Sequence, residues 1–327
     1  MITFCINQAN TDPYFNLAAE EYFLKNFPED FFMLWRSLPS VVVGKHQNAL
    51  AEINHQFVRE NQIPVARRLS GGGTVFHDPG NVNFTFIRNV GKISEVNFKV
   101  FTVPVVDALK KLGVEAYSSG RNDLLIDGKK ISGNAEHVHR NRVLHHGTLL
   151  FNSHLDALKG TLKVDLSKFQ DKAVQSNRSE VTNIANYLTN PISVEEFTDF
   201  LFAEISQNYP EFQVYEPNSE DLIAIEKLAI EKYQTWDWIF GYSPRYRFTN
   251  KLKIENGEIL ISFLVEKGFL VEVEFRGDIR VDLSKMIREK LVGCQHDLSI
   301  IESGILSLKA LLKTEGINPE DFMKAMF

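Results

Sequence analysis

The sequence contains little cysteine and no long apolar run. Cys5 and Cys294 are the only cysteines among its 327 residues, so it offers neither a disulfide framework nor a Cys-x-x-Cys metal pattern. No apolar stretch approaches the roughly 18 to 20 residues that a membrane helix requires. The first ten residues, "MITFCINQAN", lack the basic start and apolar core of a signal peptide. We therefore expect a cytoplasmic protein without a membrane span or structural zinc.

An excess of positive charge is also absent. Lysine and arginine total 36 against 42 aspartate and glutamate residues, which gives a net charge of −6. Nucleic-acid-binding domains usually carry a basic surface, so nucleic acid is not expected as a partner. Any anionic ligand must instead be held by a local group of donors and cations.

Histidine clusters in only one stretch, "EHVHRNRVLHHG". The spacing of its four histidines matches no recognised zinc site, and histidines on loops or strand surfaces are the better interpretation. We therefore expect no metal ion held by protein side chains alone. The four residues are His137, His139, His145 and His146.

Hydrophobic residues make up 44% of the chain, which is enough for one large domain and a smaller one. Helical spacing predicts helices in "TDPYFNLAAEEYFLKNF" and "SVEEFTDFLFAEI", and β-branched runs such as "SVVVGKH" and "NVNFTFI" predict strands. Near residue 245 the pattern changes to strands joined by Asn-Gly and Lys-Gly turns, followed by helical segments. We predict a large domain over 1–245 and a small α+β domain over 246–327.

Three consecutive glycines lie in "RRLSGGGTVFHDPGNVNF", directly after two arginines. Glycines can adopt positive φ, so their N–H groups can converge on phosphate oxygens while Arg67 and Arg68 supply charge. A tight turn between strands is the alternative, and for a glycine run taken alone it is the commoner case. The P-loop and dinucleotide-binding patterns are both absent, since Val75 and Phe76 stand where a later glycine would be required.

A second polar segment, "NDLLIDGKKISGNA", has an Asp-Gly pair between two strand-like runs, which predicts a β-hairpin. If the second strand begins directly after this turn, Lys130, Ser132 and Asn134 share one face. The small residues around Ser132 suggest that something bulky crosses the strand, although a solvated polar face explains the pattern equally well. A third segment, "VLHHGTLLF", predicts a buried strand with histidines at its end.

Taken together, "RRLSGGGTVFHDPGNVNF", "GRNDLLIDGKKISGNA" and "HHGTLLFN" resemble, in that order, the motifs of the lipoate-protein ligases. The resemblance covers essentially the whole chain, because "WDWIFGYSP" and the C-terminal segment also match the ligase layout. It implies an α+β fold with a biotin/lipoate ligase type catalytic domain, in which helices flank a mixed β-sheet, and a small α+β C-terminal accessory domain. It also implies ATP-dependent conversion of lipoate to lipoyl-AMP with release of pyrophosphate, then acyl transfer to a lysine of a carrier domain.

The resemblance also implies which residues bind the substrates. The family's essential lysine, which contacts both the nucleotide and the lipoate carboxyl group, corresponds to Lys130. The ATP-binding positions correspond to Arg68, Gly73, Thr74, Val75, Phe76 and Lys130. The lipoate-binding positions correspond to Ser70, Gly71, Gly72, His77, His146 and Lys130. Further candidates within the matching motifs are Asn83, Asp123 and Ser132.

The implied chemistry explains these residue types. A carboxylate must attack an α-phosphate although both are anionic, so a fixed cation such as Lys130 is needed where they meet. Arg68 and the glycine amides would hold phosphate oxygens, and Mg²⁺ is expected on the triphosphate. Asp123 could orient or deprotonate the incoming lysine. The acyl chain requires an apolar slot, for which residues around Val75 and Leu149 are candidates.

Two alternative functions remain open. An ATP-independent octanoyl or lipoyl transferase of the same fold uses a cysteine thioester, but neither Cys5 nor Cys294 stands where that nucleophile is expected. A non-catalytic protein that binds lipoate or a carrier domain is the second alternative. One stretch, "AVQSNRSEVTNI", departs from the family pattern at Asn177 and Glu180, which leaves the contacts of that loop open.

The expected partners are lipoyl carrier domains, either dehydrogenase E2 subunits or the glycine-cleavage H protein, and the expected oligomeric state is a monomer. Several basic residues could meet an acidic carrier surface, although a solvated charged face explains them equally well. They are Lys163, Lys168, Lys172 and Arg178.

Overall fold

The computed structural model describes residues 2–91, 97–120, 122–162, 166–176, 179–255 and 257–327. Its strands are β1 Phe4–Gln8, β2 Phe31–Arg36, β3 Ser40–Val43, β4 Val65–Arg67, β5 Val75–His77, β6 Asn81–Asn89, β7 Tyr117–Ser119, β8 Asp123–Ile126, β9 Lys129–His139, β10 Arg142–Leu150, β11 Phe169–Asp171, β12 Gln213–Val214, β13 Tyr246–Ile254, β14 Gly257–Glu266 and β15 Phe269–Gly277. Its helices are α1 Pro13–Asn26, α2 Ala49–Glu52, α3 His55–Glu60, α4 Phe98–Lys111, α5 Leu155–Thr161, α6 Val194–Ser206, α7 Ser219–Leu228, α8 Val281–Leu291, α9 Leu298–Ile305, α10 Lys309–Thr314 and α11 Pro319–Lys324.

The largest sheet has eight strands in the order β12-β1-β2-β6-β10-β9-β8-β7. β1 runs parallel to β12 and β2, whereas the other neighbours are antiparallel. Side chains alternate between its two faces, so α1 covers one hydrophobic layer and α4 and α6 cover the other. Among the described residues, no helix is both long and apolar enough to cross a bilayer.

The helix predicted at the N-terminal end of the chain forms as α1. Asp12 accepts a hydrogen bond from Phe15 N at 2.8 Å, and Pro13 occupies the first turn, where a missing N–H costs nothing. The predicted helix α6 begins with a reciprocal capping box between Ser193 and Glu196. Both predictions are confirmed, because each depends on local capping that the sequence displays.

The hairpin of β8 and β9 determines on which face of the sheet Lys130 and Ser132 lie. Asp127 and Gly128 have φ of 51° and 78°, the two left-handed positions of the predicted tight turn. The pairing then shifts, with Leu124 opposite Ser132 and Leu125 opposite Lys130. Our prediction that Lys130 and Ser132 share one face is wrong, because this bulge inserts one extra residue between them and reverses the alternation.

A second, antiparallel sheet has the order β11-β13-β14-β15. Its core also includes side chains of α8, α9 and α11. β11 comes from a segment well before the predicted boundary at residue 245, so the two parts of the chain share a sheet edge. The boundary itself stays a prediction. A third sheet, in the order β4-β3-β5, holds the end of β4 beside the glycine run.

Arg67 is a structural residue and not part of a ligand site. Its side chain is fully buried, and burial lowers the pKa of its guanidinium group to about 10. Its donor–acceptor distances lie between 2.6 and 3.0 Å. The expectation that both arginines supply charge to a ligand is therefore wrong for Arg67. Its acceptors are the carbonyl oxygens of Gly44, Lys45, Gln47, Trp238 and Ile239 and the hydroxyl of Ser243.

Replacing Arg67 with methionine should lower the free energy of unfolding by about 3 kcal/mol or more, because it leaves several buried carbonyl groups without donors. Urea unfolding followed by circular dichroism measures the change. The matched control is Arg276→Met, which removes an exposed guanidinium group paired with the exposed Glu274 and should cost less than about 0.5 kcal/mol. Equal losses in the two variants would contradict the anchoring role.

Candidate active site

A cavity of about 580 Å³ lies between the α1 face of the large sheet, the glycine run and the segment 174–176. We call the part lined by mostly buried residues against the sheet its inner half, or chamber, and the part lined by more exposed residues near the β7–β8 connection its outer half. Residues of the inner half include Leu17, Trp35, Val42, Val75, His77, Asn83, His146 and Thr148, and residues of the outer half include Ser119, Gly120, Asn122, Asp123, Val174, Gln175 and Ser176.

The pairing of the strands determines which residues form the floor of the inner half. Trp35 pairs with Asn83, and Asn83 pairs with Thr148. Thr148 Oγ1 accepts a hydrogen bond of 3.2 Å from Gly133 N, and Gly133 pairs with Asp123. The row therefore crosses five adjacent strands, and its span from Trp35 to Gly133 is about 14 Å at the usual strand spacing. We call this row, which ends at Trp35, the trough.

Lys130 lies across this row at Gly133. A Cβ atom added at Gly133 would stand 3.0 Å from Lys130 Nζ and 3.1 Å from its Cε, so the lysine occupies the place of the missing side chain. Its Nζ lies 2.9 Å from Asp123 Oδ1, and the side chains are 24% and 31% exposed. The ammonium group therefore lines the cavity between Gly133 and Asp123 and stays partly exposed.

The glycine loop, residues 70–73, curls around the guanidinium group of Arg68. Arg68 Nη2 donates to the carbonyl oxygens of Gly71 and Gly73, both at 2.7 Å, and Nη1 donates to Val42 O at 3.1 Å. Gly72 has φ of 86°, which favours glycine. Within the described part of the chain, the N–H groups of Gly71, Gly72 and Gly73 donate no hydrogen bond. The carbonyl groups turn inward and leave amides for a ligand, which a simple tight turn would not do.

A strap formed by residues 174–176 covers the loop. Ser176 Oγ accepts a hydrogen bond from Thr74 N at 2.9 Å, and a Cβ atom at Gly73 would come within 3.0 Å of that oxygen. Further along, Glu180 O accepts from Lys130 N at 2.8 Å. Ser176 therefore contacts the glycine loop, and Glu180 contacts the bulge at Lys130. Asn177 and Arg178 lie outside the described residues.

Behind the loop, a buried polar network connects α1 to the cavity. His146 Nδ1 lies 3.0 Å from both carboxylate oxygens of Glu20, and its Nε2 lies 2.6 Å from Ser70 Oγ. Thr85 Oγ1 donates to Glu20 at 2.6 Å and accepts from Trp35 Nε1 at 3.1 Å. Sequence reasoning missed Glu20, because an acidic residue on a helix gives no signal that it is buried.

His77 is held neutral beside the trough. It is buried, and desolvation lowers the pKa of its imidazole to about 3, with smaller contributions from the charges of Arg68 and His146. Its ring meets the indole of Trp35 edge to face at 5.5 Å between centroids. The uncharged ring makes this part of the cavity less polar than an imidazolium would.

The cavity brings together most of the predicted residues. Ten line it: Arg68, Gly72, Gly73, Thr74, Val75, His77, Asn83, Asp123, Lys130 and His146. Four do not, namely Ser70, Gly71, Phe76 and Ser132. The side chain of Phe76 belongs to a hydrophobic cluster, and Ser132 is fully buried next to Asn134 Nδ2. Leu149 does not line the inner half of the cavity either, because it packs in the layer under α4 and α6.

Two family models match the chain. The lipoyl protein ligase A/B catalytic domain matches residues 12–206, and the bacterial lipoate protein ligase C-terminus matches residues 243–326. Lipoate–protein ligase 1 of Staphylococcus aureus is 42% identical over 305 residues, which cover 92% of this chain and 93% of its own. Lipoate-protein ligase LplJ of Bacillus subtilis is 40% identical over 333 residues, which cover 99% of each chain.

Solved structures show the same fold. LipL1 of P. falciparum in complex with lipoate is 25% identical, with a TM-score of 0.62 over 99% of this chain and 97% of its own. A lipoate-protein ligase A bound with ATP is 24% identical, with a TM-score of 0.64 over 74% of this chain and 100% of its own.

Fold and relatives together define an α+β ligase with a catalytic domain of the lipoyl ligase type. More specifically, the chain belongs to the lipoate-protein ligase family. The fold class, the ligase class and the family that we predicted from the sequence are confirmed.

The environment of His77 predicts its titration. Its C2–H chemical shift in an NMR titration should stay constant from pH 7.5 to pH 5, because the folded pKa of about 3 lies far below the ordinary value of 6.5. Below pH 6.5 the unfolded chain binds a proton on this residue and the folded chain does not. His77 therefore lowers the free energy of unfolding by up to about 1.4 kcal/mol for each pH unit below 6.5. A midpoint near pH 6.5 in the folded protein would contradict this burial.

Proposed function

We propose that this protein joins lipoate to a carrier protein in two steps, an ATP-dependent formation of lipoyl-AMP and then transfer of the lipoyl group to a carrier lysine. The observation that carries this proposal is the position of Lys130, which lines the same cavity as the apolar residues Leu17, Val42 and Val75 and the loop residues Gly72 and Gly73. A carboxylate at the mouth of the chamber and a phosphate on the loop would both reach this cation. The division into a catalytic domain over 1–245 and an accessory domain over 246–327 is part of the same proposal.

The inner half fits the acyl chain of lipoate. The trough, at about 14 Å, accommodates an eight-carbon acid whose carboxyl group meets Lys130 and whose ring lies near Trp35. Leu17, Val42 and Val75 supply apolar walls, and each methylene that they bury contributes about 0.8 kcal/mol. His77 and Asn83 would line the same chamber.

The outer half fits the nucleotide. The amides of Gly72 and Gly73, which line the cavity, would hold phosphate oxygens, and Arg68 would act by shaping the loop and by its charge. Asp123 is the carboxylate among the cavity-lining residues. Within the described ranges, no three His, Cys, Asp or Glu side chains could share a metal ion. Mg²⁺ bound mainly by phosphate oxygens fits this donor set, and when bound it would neutralise phosphate charge.

In the first step, a lipoate carboxylate oxygen attacks the α-phosphorus, and the bond from that phosphorus to the pyrophosphate group breaks. Lys130 offsets the repulsion between the two anions and the charge that develops at the α-phosphate. In the second step, the carrier lysine attacks the acyl carbon, an amide forms and AMP leaves. Asp123 would orient the incoming amine or accept its proton. The strap over the loop would exclude water from the mixed anhydride.

The carrier would approach at the outer half. We propose lipoyl domains of dehydrogenase E2 subunits or the glycine-cleavage H protein as carriers, and a cytoplasmic monomer as the acting form. Lys172 is exposed two residues before the strap, and Lys168 lines a separate cleft between α3 and the C-terminal helices. Lys163 and Arg178 lie outside the described residues.

A transferase with a cysteine nucleophile is disfavoured by the positions of both thiols. Cys5 is buried within β1 under the α4 and α6 layer, and burial raises the pKa of its thiol to about 11. Cys294 lies after α8, in the part of the chain that packs with the second sheet. Neither cysteine lines the cavity, so neither could carry an acyl group there.

Lipoate-dependent exchange of pyrophosphate into ATP should fall at least about 100-fold in Lys130→Ala, because one preorganised cation at a reacting oxyanion contributes that much or more. Lys129→Ala is the matched control. It removes the neighbouring ammonium, which is exposed and paired with Glu180, and should retain exchange within about twofold. Unchanged exchange in Lys130→Ala would overturn the proposed role.

A variant with both cysteines replaced, Cys5→Ala and Cys294→Ala, separates the ligase from the transferase. We expect it to keep lipoate-dependent exchange and transfer to an apo lipoyl domain, measured by mass spectrometry. Lipoyl transfer that needs no ATP and disappears in this variant would instead favour the transferase. Lipoate binding without any exchange in the unaltered protein would favour the binding protein.

A further inference from the structure

We propose that Glu20 is a positioning residue that couples the acyl chamber to the glycine loop. The inference rests on the proposed ligase function. Glu20 does not line the cavity, yet its carboxylate is the common acceptor for hydrogen bonds that begin on both sides of the site.

The directions of these hydrogen bonds follow from the donors present. Arg68 Nε donates to Ser70 Oγ at 3.0 Å, so the Ser70 hydroxyl hydrogen is free to go to another acceptor. His146 Nε2 lies 2.6 Å away, whereas Gly71 O lies at 3.5 Å. Ser70 therefore donates to Nε2, so the His146 hydrogen on Nδ1 faces Glu20.

The opposite side of the network points to the same carboxylate. Trp35 Nε1 can only donate, and its acceptor is Thr85 Oγ1. Thr85 must then pass its own hydroxyl hydrogen to Glu20 Oε1, at 2.6 Å. Two chains of hydrogen bonds thus converge on Glu20, one from the end wall of the chamber and one from the guanidinium group that shapes the loop.

Charge explains why the acceptor is an acid. Burial lowers the pKa of Arg68 to about 10, and the negative charge of Glu20 acts against this effect. His146 and Ser70 stand between the two groups, so this relay connects two buried ions of opposite sign. Each ion would be costly to bury without the other.

The network of Glu20 holds the walls of the chamber and the glycine loop in place relative to each other. Trp35 and His146 line the chamber, and Arg68 holds the carbonyl groups of the loop. Because all three are tied to one carboxylate, the chamber and the phosphate-binding amides keep a fixed relative position. Reacting groups on separate substrates need such a fixed position, since a displacement of about 1 Å can cost 100-fold in rate.

Glu20→Gln tests this inference because the variant keeps the shape and removes the charge. An amide group that donates to Nδ1 would move the His146 hydrogen to Nε2, which breaks the order of the relay. We expect the KM for lipoate to rise and kcat for adenylate formation to fall, each by about 10-fold. The ¹⁵N chemical shifts of His146 should change from the Nδ1–H tautomer to the Nε2–H tautomer.

The matched control is Glu21→Gln, one residue further along the same helix. Glu21 is equally buried, but its carboxylate contacts Lys25, Lys232 and Tyr233, away from the cavity. This variant should lose thermal stability while KM and kcat stay within about twofold. Equal kinetic losses in both variants would show that general loosening of α1 is responsible, and would overturn the inference.

The tautomer in the unaltered protein gives a second test that does not depend on a variant folding or on activity. ¹⁵N NMR should show His146 with its hydrogen on Nδ1 at neutral pH, and an Nε2–H tautomer there would contradict the relay. Absence of pyrophosphate exchange in the unaltered protein would refute the proposed function, whereas normal kinetics in Glu20→Gln would refute only this inference.

Discussion

The site depends on one irregularity in a β-hairpin. The bulge between Lys130 and Ser132 turns Lys130 out of the alternation of β9 and onto the cavity face. Gly133, on the same face, has no side chain, so the lysine can lie flat across the strand. A regular strand would bury the ammonium with Ser132 in the opposite layer. The position of the central cation is thus fixed by backbone geometry and by one absent methyl group.

An acidic chain binds an anionic substrate through local compensation of charge. Arg67 and Arg68 are adjacent in sequence, yet they serve different ends. Arg67 neutralises carbonyl dipoles where β4 meets the segment around Ile239, and Arg68 does so within the glycine loop. The loop turns its carbonyl oxygens onto Arg68, and the amides of Gly71, Gly72 and Gly73 donate no hydrogen bond within the described residues. The cation therefore acts partly through the shape that it imposes.

The sequence predicts those elements that depend on residues close together in the chain. The capped helices α1 and α6 and the Asp127–Gly128 turn follow from residues within a few positions of each other, and they form as predicted. Motif order was sufficient for the family. The face of Lys130 was predicted wrongly, because a bulge depends on pairing with β8 that periodicity does not report. Glu20 was missed because its partners are 65 and 126 residues away.

The central claim is that the Lys130 ammonium must lie over Gly133 for the carboxylate to be activated. Rapid-quench measurement of lipoyl-AMP formation in Gly133→Ala tests it directly, because the new methyl group would meet only the flexible end of Lys130 and should leave the fold intact. The account predicts a rate at least about 10-fold lower with an unchanged melting temperature. A rate equal to that of the unaltered protein would contradict it.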